Sequence, residues 1–306
     1  MPKKVTNLEH PYERLQSIKL GLFYGVISAF SFAAMSVFVK KIGALLPTSQ
    51  LIFFRFSISL IILLPWIVTD KTFSLKIQQP VQYGGRILAG LSALFCVFYG
   101  IKFIPLVDAL LLNNTAPLFV PLIAWLMIGA KTPKKAILGI VIGFIGVGLI
   151  LSPGQEILCL ASTIALASGF LTALAIVQMR VISKSSSTKQ MLFYYFIVST
   201  FVSGLVAAIQ WKSPGTVEIW VFLLAVGVFG TLYQIFATLS YVTAPVRLMS
   251  PLVFLIVVFG GFFDWLIWSY VPNLFTLLGA LLVIIGTVIT VYFGHKEIDL
   301  MRNNQR

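Results

Sequence analysis

Ten apolar runs alternate with short polar connectors along the chain: residues 20–39, 50–69, 86–104, 106–128, 135–152, 157–179, 190–210, 219–241, 247–269 and 274–293. About 20 apolar residues cross the hydrocarbon core of a bilayer as a helix. The pattern therefore predicts an all-α integral membrane protein of ten transmembrane helices. The first run is too long for a cleaved secretory segment, and others follow it, so it reads as a retained signal anchor. No connector has room for a soluble catalytic or nucleotide-binding domain. No Gly-x4-Gly-Lys-Ser/Thr loop occurs, so no ATP motor is expected.

The runs repeat. Displaced by 140 residues, Gln50-Leu51-Ile52-Phe53-Phe54 meets Gln190-Met191-Leu192-Phe193-Tyr194, and Trp125-Leu126 meets Trp265-Leu266. Gly90, Pro105, Gly139 and Gly146 fall on Gly230, Pro245, Gly279 and Gly286, and Lys40 falls on Arg180. The offset divides the chain into five-helix repeats at residues 18–153 and 157–293, with tails at 1–17 and 294–306. Five is odd, so the second repeat crosses the membrane in the opposite sense. Inverted repeats of this kind mark secondary transporters, with the solute site near the midplane where the repeats meet.

Composition agrees with a bilayer. Of the 306 residues 59% are hydrophobic and 10% charged, with a mean hydropathy of +1.00, against about 25% charged in soluble proteins. The net charge of +13 has a topological cause. Seventeen lysines and arginines lie in or beside the two tails and the connectors on their side: Lys3, Lys4, Arg14, Lys19, Lys71, Lys76, Arg86, Lys131, Lys134, Lys135, Arg180, Lys184, Lys189, Arg247, Lys296, Arg302 and Arg306. Lys40, Lys41, Lys102 and Lys212 lie opposite, and Arg55 falls inside a run. Cytoplasmic connectors carry the excess of positive charge. Both termini are therefore placed in the cytoplasm, and no nucleic-acid partner is needed. Cys96 and Cys159 offer neither a disulfide framework nor metal-ligand spacing; both read as buried thiols. The two histidines, His10 and His295, lie in the tails, and no close carboxylate pair occurs inside a run, which argues against a membrane-embedded enzyme. No metal or cofactor is expected.

Polar positions inside the runs carry the candidate chemistry. Tyr24, Ser28, Ser31 and Met35 share one helix face; Ser168, Thr172 and Met179 share another, and Gly227, Gly230, Gln234, Thr238 and Tyr241 a third. Span 3 offers Ser92, Cys96 and Tyr99, and span 4 offers Asn113-Asn114-Thr115 ahead of Pro117. Single hydroxyls usually bond their own helix, whereas the Asn pair and Gln234 favour a cavity. Adjacent carboxamides point about 100° apart on a helix, so only one of the pair can centre on it. Pro117 and Pro251 interrupt the helical ladder. Asp264 lies well inside span 9, where a carboxylate can take up protons, bind a cationic group or pair with a base. Arg55, at a similar depth of about 8 Å, is the expected base if Asp264 is paired; otherwise it is expected to snorkel to the interface.

Phe54-Arg55-Phe56, the glycine run from Gly139 to Leu149, Ala244-Pro245, Ser250-Pro251-Leu252 and Val271-Pro272-Asn273-Leu274 leading to Gly279 and Gly286 resemble, in order and duplication, the bacterial ten-helix drug/metabolite transporter superfamily with tandem EamA-type domains. The resemblance covers residues 18–293. It departs at the ends of spans 4 and 9, where the family's Gly-Glu pair reads Gly129-Ala130 and Ser269-Tyr270. It implies alternating access around a central cavity lined by spans 1, 3, 4, 6, 8 and 9. Spans 5 and 10 would stand aside as support or as homodimer contacts.

The expected function is secondary active transport of a small organic metabolite (an amino acid, a nucleotide-like metabolite or a related solute) across a bacterial cytoplasmic membrane. The alternatives are a multidrug or toxic-compound exporter of the same fold and, further off, a non-transporting scaffold. Expected solute contacts are Tyr24, Ser28, Tyr99, Asn113, Asn114, Thr172, Gln234, Thr238, Asp264 and Trp265. Arg55, Arg247 and Asp264 are the charge or gating candidates.

Overall fold

A computed structural model describes residues 18–69, 75, 77–129, 133–151, 160–183, 185–243 and 251–303. Arg247, Cys159, Ala244-Pro245 and Ser250 lie outside the described residues. The described chain forms α1 (Ile18–Gly43), α2 (Thr48–Val68), α3 (Pro80–Phe103), α4 (Leu106–Asn113), α5 (Ala116–Ile128), α6 (Lys134–Ile150), α7 (Leu160–Ile182), α8 (Thr188–Ile209) and α9 (Val217–Thr243). After a single 3-10 turn over Pro251–Phe254 come α10 (Leu255–Trp268) and α11 (Leu274–Asn303).

Ten spans result, because two of them are broken. Span 4 is α4 followed by α5. Pro117 has no N–H to give the Asn113 carbonyl, and the backbone passes the gap with tighter bonds, Thr115 N to Leu112 O and Leu118 N to Thr115 O. Span 9 is the 3-10 turn begun by Pro251 and then α10. Both breaks fall where the prolines predicted them.

The repeat governs packing. Helix α1 lies against α9, and the equivalent pair, α7 against α3, repeats that contact in the other half. Helices α2 and α8, equivalent to each other, pack together across the middle, as α6 and α11 do at one side. The contact of α5 with α7 is echoed by that of α10 with α1. The halves are intertwined, each contact of one repeat echoed in the other.

Glycines decide the α6–α11 contact. A Cβ added at Gly139 would lie 2.6 Å from the carbonyl of Gly286, and one at Gly279 would lie 2.7 Å from that of Gly146. Close backbone approach is how helices gain packing where lipid supplies no hydrophobic drive. These glycine faces are spent inside one chain; the outward faces of the same helices carry Leu138, Val141, Leu278 and Leu281 to the lipid side.

The ends of spans 4 and 9 share one backbone device. Gly129 and its repeat partner Ser269 both close their helices in the left-handed region, at φ 68° and 52°, with N–H bonds back to Trp125 and Trp265. A side chain in that region costs about 1–2 kcal/mol, partly offset by the greater chain entropy glycine loses on folding. Ser269→Gly is therefore expected to raise Tm slightly. Gly129→Ala, entering open space but the wrong backbone region, is expected to lower it by a few degrees. Thermal unfolding in detergent measures both.

Candidate functional site

The end of the bundle assigned to the outside is closed by charge. Asp264, on α10, is completely buried; its Oδ1 accepts from Lys40 Nζ at 2.9 Å and its Oδ2 from the backbone N–H of Val107 at 2.9 Å. Helix α4 begins after Pro105, which offers its amides no side-chain cap. Asp264 supplies that cap from the other repeat, at the positive end of the helix dipole. Lys40 keeps 16% of its side chain exposed and lies 4.6 Å from the centroid of the Trp268 ring. One carboxylate thus joins α1 and α4 of the first half to α10 of the second.

A second acid reinforces the closure. Asp108, in the first turn of α4, accepts from the Tyr270 hydroxyl at 3.1 Å, and its other oxygen is buried without a hydrogen bond. Burial and that carboxylate push the Tyr270 phenol above its ordinary range. Further around the outer rim, Gln50 pairs both ways with the backbone of Lys212, at 2.8 and 3.2 Å.

Asp264 was expected, if paired, to meet Arg55; its partner is Lys40, a residue assigned to the outer connector. Arg55 does not snorkel either. It is 2% exposed, with Phe56, Met35 and Gly230 around it. Its place in α2, about 10 Å from the helix start at 1.5 Å per residue, puts the interface beyond easy reach. Arg86, counted as a cytoplasmic flank, is also buried and donates to the Met191 carbonyl at 3.1 Å.

At the break in span 4 the two asparagines divide. Asn114 is buried and donates to the Leu110 carbonyl of its own helix. The oxygen of Asn113 instead takes the hydroxyls of Ser168 at 3.0 Å and Thr172 at 3.5 Å, both on α7. Gly169 permits this approach, since a Cβ there would meet the Leu112 carbonyl at 2.8 Å. Asn113 and Thr172 are the two expected contacts that the fold brings together.

The others scatter. Tyr24 packs on Phe236, with ring centroids 5.6 Å apart, and Tyr99 on Phe103 at 4.7 Å. Gln234 is half-buried, and its carbonyl accepts from Thr238. Trp265 does not join Asp264: it is 58% exposed on the lipid side, because consecutive helical residues point about 100° apart. Ser28 lines a cavity of about 50 Å³ with Gly25, Tyr233, Ser240, Leu252 and Val253, in the half assigned to the cytoplasm, between α1, α9 and span 9. Its hydroxyl donates to Gly25, and that of Ser240 to Gly21. This volume holds a water or two, far below the ~300 Å³ of a small-molecule pocket. Its lining comes from α1, α9 and span 9, three of the six spans expected to line a broad basket.

Sequence reasoning missed Lys40 and Tyr270. The signal for Lys40 was present: it ends the face of α1 that carries Ser28, Phe32 and Ser36 at four-residue spacing, and a buried acid requires a cation near its own depth.

Comparison with known proteins agrees with this architecture. The model of the EamA-like transporter family matches residues 19–152 and 160–292. The pseudopaline exporter CntI of Pseudomonas aeruginosa is 28% identical over 275 residues, 90% of this chain and 96% of its own. The S-adenosylmethionine uptake transporter of Rickettsia felis is 28% identical over 305 residues, 96% and 99% of the two chains. Human solute carrier family 35 member G1 is 27% identical across 88% of this chain and 78% of its own. One solved crystal structure superposes with a TM-score of 0.64 at 14% identity, covering 90% of this chain and 98% of its own; that likeness speaks to fold alone.

Proposed function

The chain belongs to the EamA-like transporter family, and we propose that it is a secondary active transporter moving a small organic metabolite across a bacterial cytoplasmic membrane by alternating access. It is a multi-pass membrane protein and a transporter, not an enzyme. The carrying observation is the intertwined pairing of inverted halves, in which α1–α9 and α3–α7 are equivalent contacts. Such a pair has two related arrangements, and exchanging them moves the opening from one side to the other. Closure of the outer end by Lys40–Asp264, with the small cavity in the cytoplasmic half, supports one of these arrangements.

The solute belongs to the class of amino acids, nucleotide-like metabolites or related compounds. One relative is named an exporter and another an uptake transporter, so direction follows from coupling rather than from the fold. Asn113 with Ser168 and Thr172, and separately the cavity residue Ser28, are the polar equipment such a solute would meet. Export of amphipathic toxic compounds is the second reading, favoured by the rings of Tyr24, Phe236, Phe32 and Tyr233 along α1 and α9.

A thermal-shift screen of the purified protein against a metabolite library tests it, because a ligand bound only by the folded state raises Tm by mass action. One chemical class is expected to stabilise the protein and to show saturable counterflow in proteoliposomes. Stabilisation by many unrelated amphipaths would select the second reading. No stabiliser and no counterflow would end both.

A further inference from the structure

Arg55 is wholly enclosed, yet its Nε and Nη1 have no hydrogen-bond partner. Its guanidinium carbon lies 4.3 Å from the centroid of the Phe56 ring. The charged or titratable groups that face it are the phenols of Tyr195 on α8 and Tyr233 on α9. No described carboxylate does so: Asp108 and Asp264 belong to the outer cluster, and Glu218 to the first turn of α9. A cation in a dry interior with an aromatic face but no counter-charge is a costly feature for a fold to carry.

The repeat tests whether packing explains it. Position 55 is equivalent to Tyr195, and Gly230 to Gly90. In one half Arg55 lies over Gly230, where an added Cβ would sit 3.0 Å from its Cγ. In the other, Tyr195 lies over Gly90, where a Cβ would sit 3.0 Å from its hydroxyl. In both halves the side chain at this position packs on the equivalent glycine, and a phenol fills one of the two places. Shape alone does not call for a guanidinium in the other.

We propose that Arg55 anchors an anionic group, a carboxylate, of the transported solute. A single fixed positive charge balances a monoanion, and an arginine deep in the membrane stays charged. The approach is laid out along α9, where Gly230, Tyr233, Ala237 and Ser240 share a face. The last three line the cytoplasmic-half cavity. Arg55, beside Gly230, stands about 5 Å beyond Tyr233 along that helix. The Tyr233 ring, packed on Phe32 with centroids 4.6 Å apart, separates cavity from guanidinium and is the group that must swing aside. The assignment rests on the transport reading and names its substrate class.

The test heats wild type, Arg55→Tyr and Arg55→Gln with monocarboxylates paired with uncharged twins: lactate with lactamide, nicotinate with nicotinamide, and N-acetylalanine with its amide. Inorganic phosphate forms a separate arm. At least one carboxylate is expected to raise the wild-type Tm while its twin does not. Both variants should bind that acid at least about 30-fold more weakly, the scale of losing a buried charge partner. Their ligand-free Tm should equal or exceed that of the wild type, since an unpaired buried charge is gone. The proposal is overturned if acid and twin act alike, if the variants keep the shift, if phosphate alone responds, if no acid stabilises the wild type, or if ligand-free Tm falls in both variants. Counterflow separates this failure from that of the transport reading: exchange of a neutral or cationic solute leaves transport standing and removes Arg55's role.

Discussion

Lys40→Met is expected to make a buried outer-end reporter, Ala109→Cys, react about 100-fold faster with a membrane-impermeant maleimide. The background would carry Cys96→Ser and Cys159→Ser, leaving Ala109→Cys as the one thiol. Asp264 has no exposure and two bonds, one to Lys40 and one to the Val107 amide. Removing the cation strands a buried carboxylate, at a cost to the closed state of about 3–5 kcal/mol. Opening the outer end hydrates that carboxylate, so much of the cost returns as a shift toward the open state. Each 1.4 kcal/mol is a factor of ten, so about 3 kcal/mol gives the expected hundredfold. Unchanged labelling would show that the pair does not hold the outer end shut.

The variants of Asp264 separate its two bonds. Asp264→Asn keeps an oxygen for Val107 and should open the outer end less than Asp264→Ala, which abandons the α4 terminus as well. The exchange of Lys40→Asp with Asp264→Lys should not restore closure, because an ammonium would then face an N–H and the positive end of α4. Lys40→Met combined with Asp264→Leu should be closer to wild type than Lys40→Met alone. Neutralising both partners removes the stranded charge, and the double-mutant cycle isolates that coupling.

The same cluster marks how far the sequence could be read. Span count, orientation and the inverted repeat follow from apolar run lengths, a constant offset and the distribution of Lys and Arg, all local or additive properties. The breaks at Pro117 and Pro251 were legible because a missing N–H acts at a known distance along its own helix. Pairing was not. Whether Asp264 meets Lys40 or Arg55 depends on the rotation and depth of helices 224 residues apart in sequence, and apolar patterning on nearly uniform spans fixes neither. Trp265 is the opposite case, since its divergence from Asp264 follows from the helical period alone. Arg55 and Arg86 sit deeper than their positions suggested because aromatic faces, Phe56 for one and Tyr195 for the other, receive them.

Gly286→Val is expected to be the most destabilising single change in the membrane domain, lowering Tm in detergent by about 10 °C. A Cβ at Gly286 would lie 2.5 Å from the Gly139 carbonyl and 2.5 Å from the Gly143 amide. Those neighbours are backbone, so no rotamer change relieves the clash and α6 and α11 must separate. Separation weakens the dispersion contacts along the seam and draws Thr290 from the Ala136 carbonyl, 3.4 Å away. Overpacking of this kind costs about 3 kcal/mol or more, which at roughly 2–4 °C per kcal/mol gives the stated drop. The control lies on the facing helix, α6: a Cβ at Gly148 meets nothing within 4 Å. Gly148→Ala should therefore leave Tm unchanged or raise it slightly through helix propensity. Equal effects at the two positions would show that the glycines answer to helix propensity rather than to the seam. A large drop at Gly286 alone would place spans 5 and 10 as one rigid pair, against which the other eight spans rearrange.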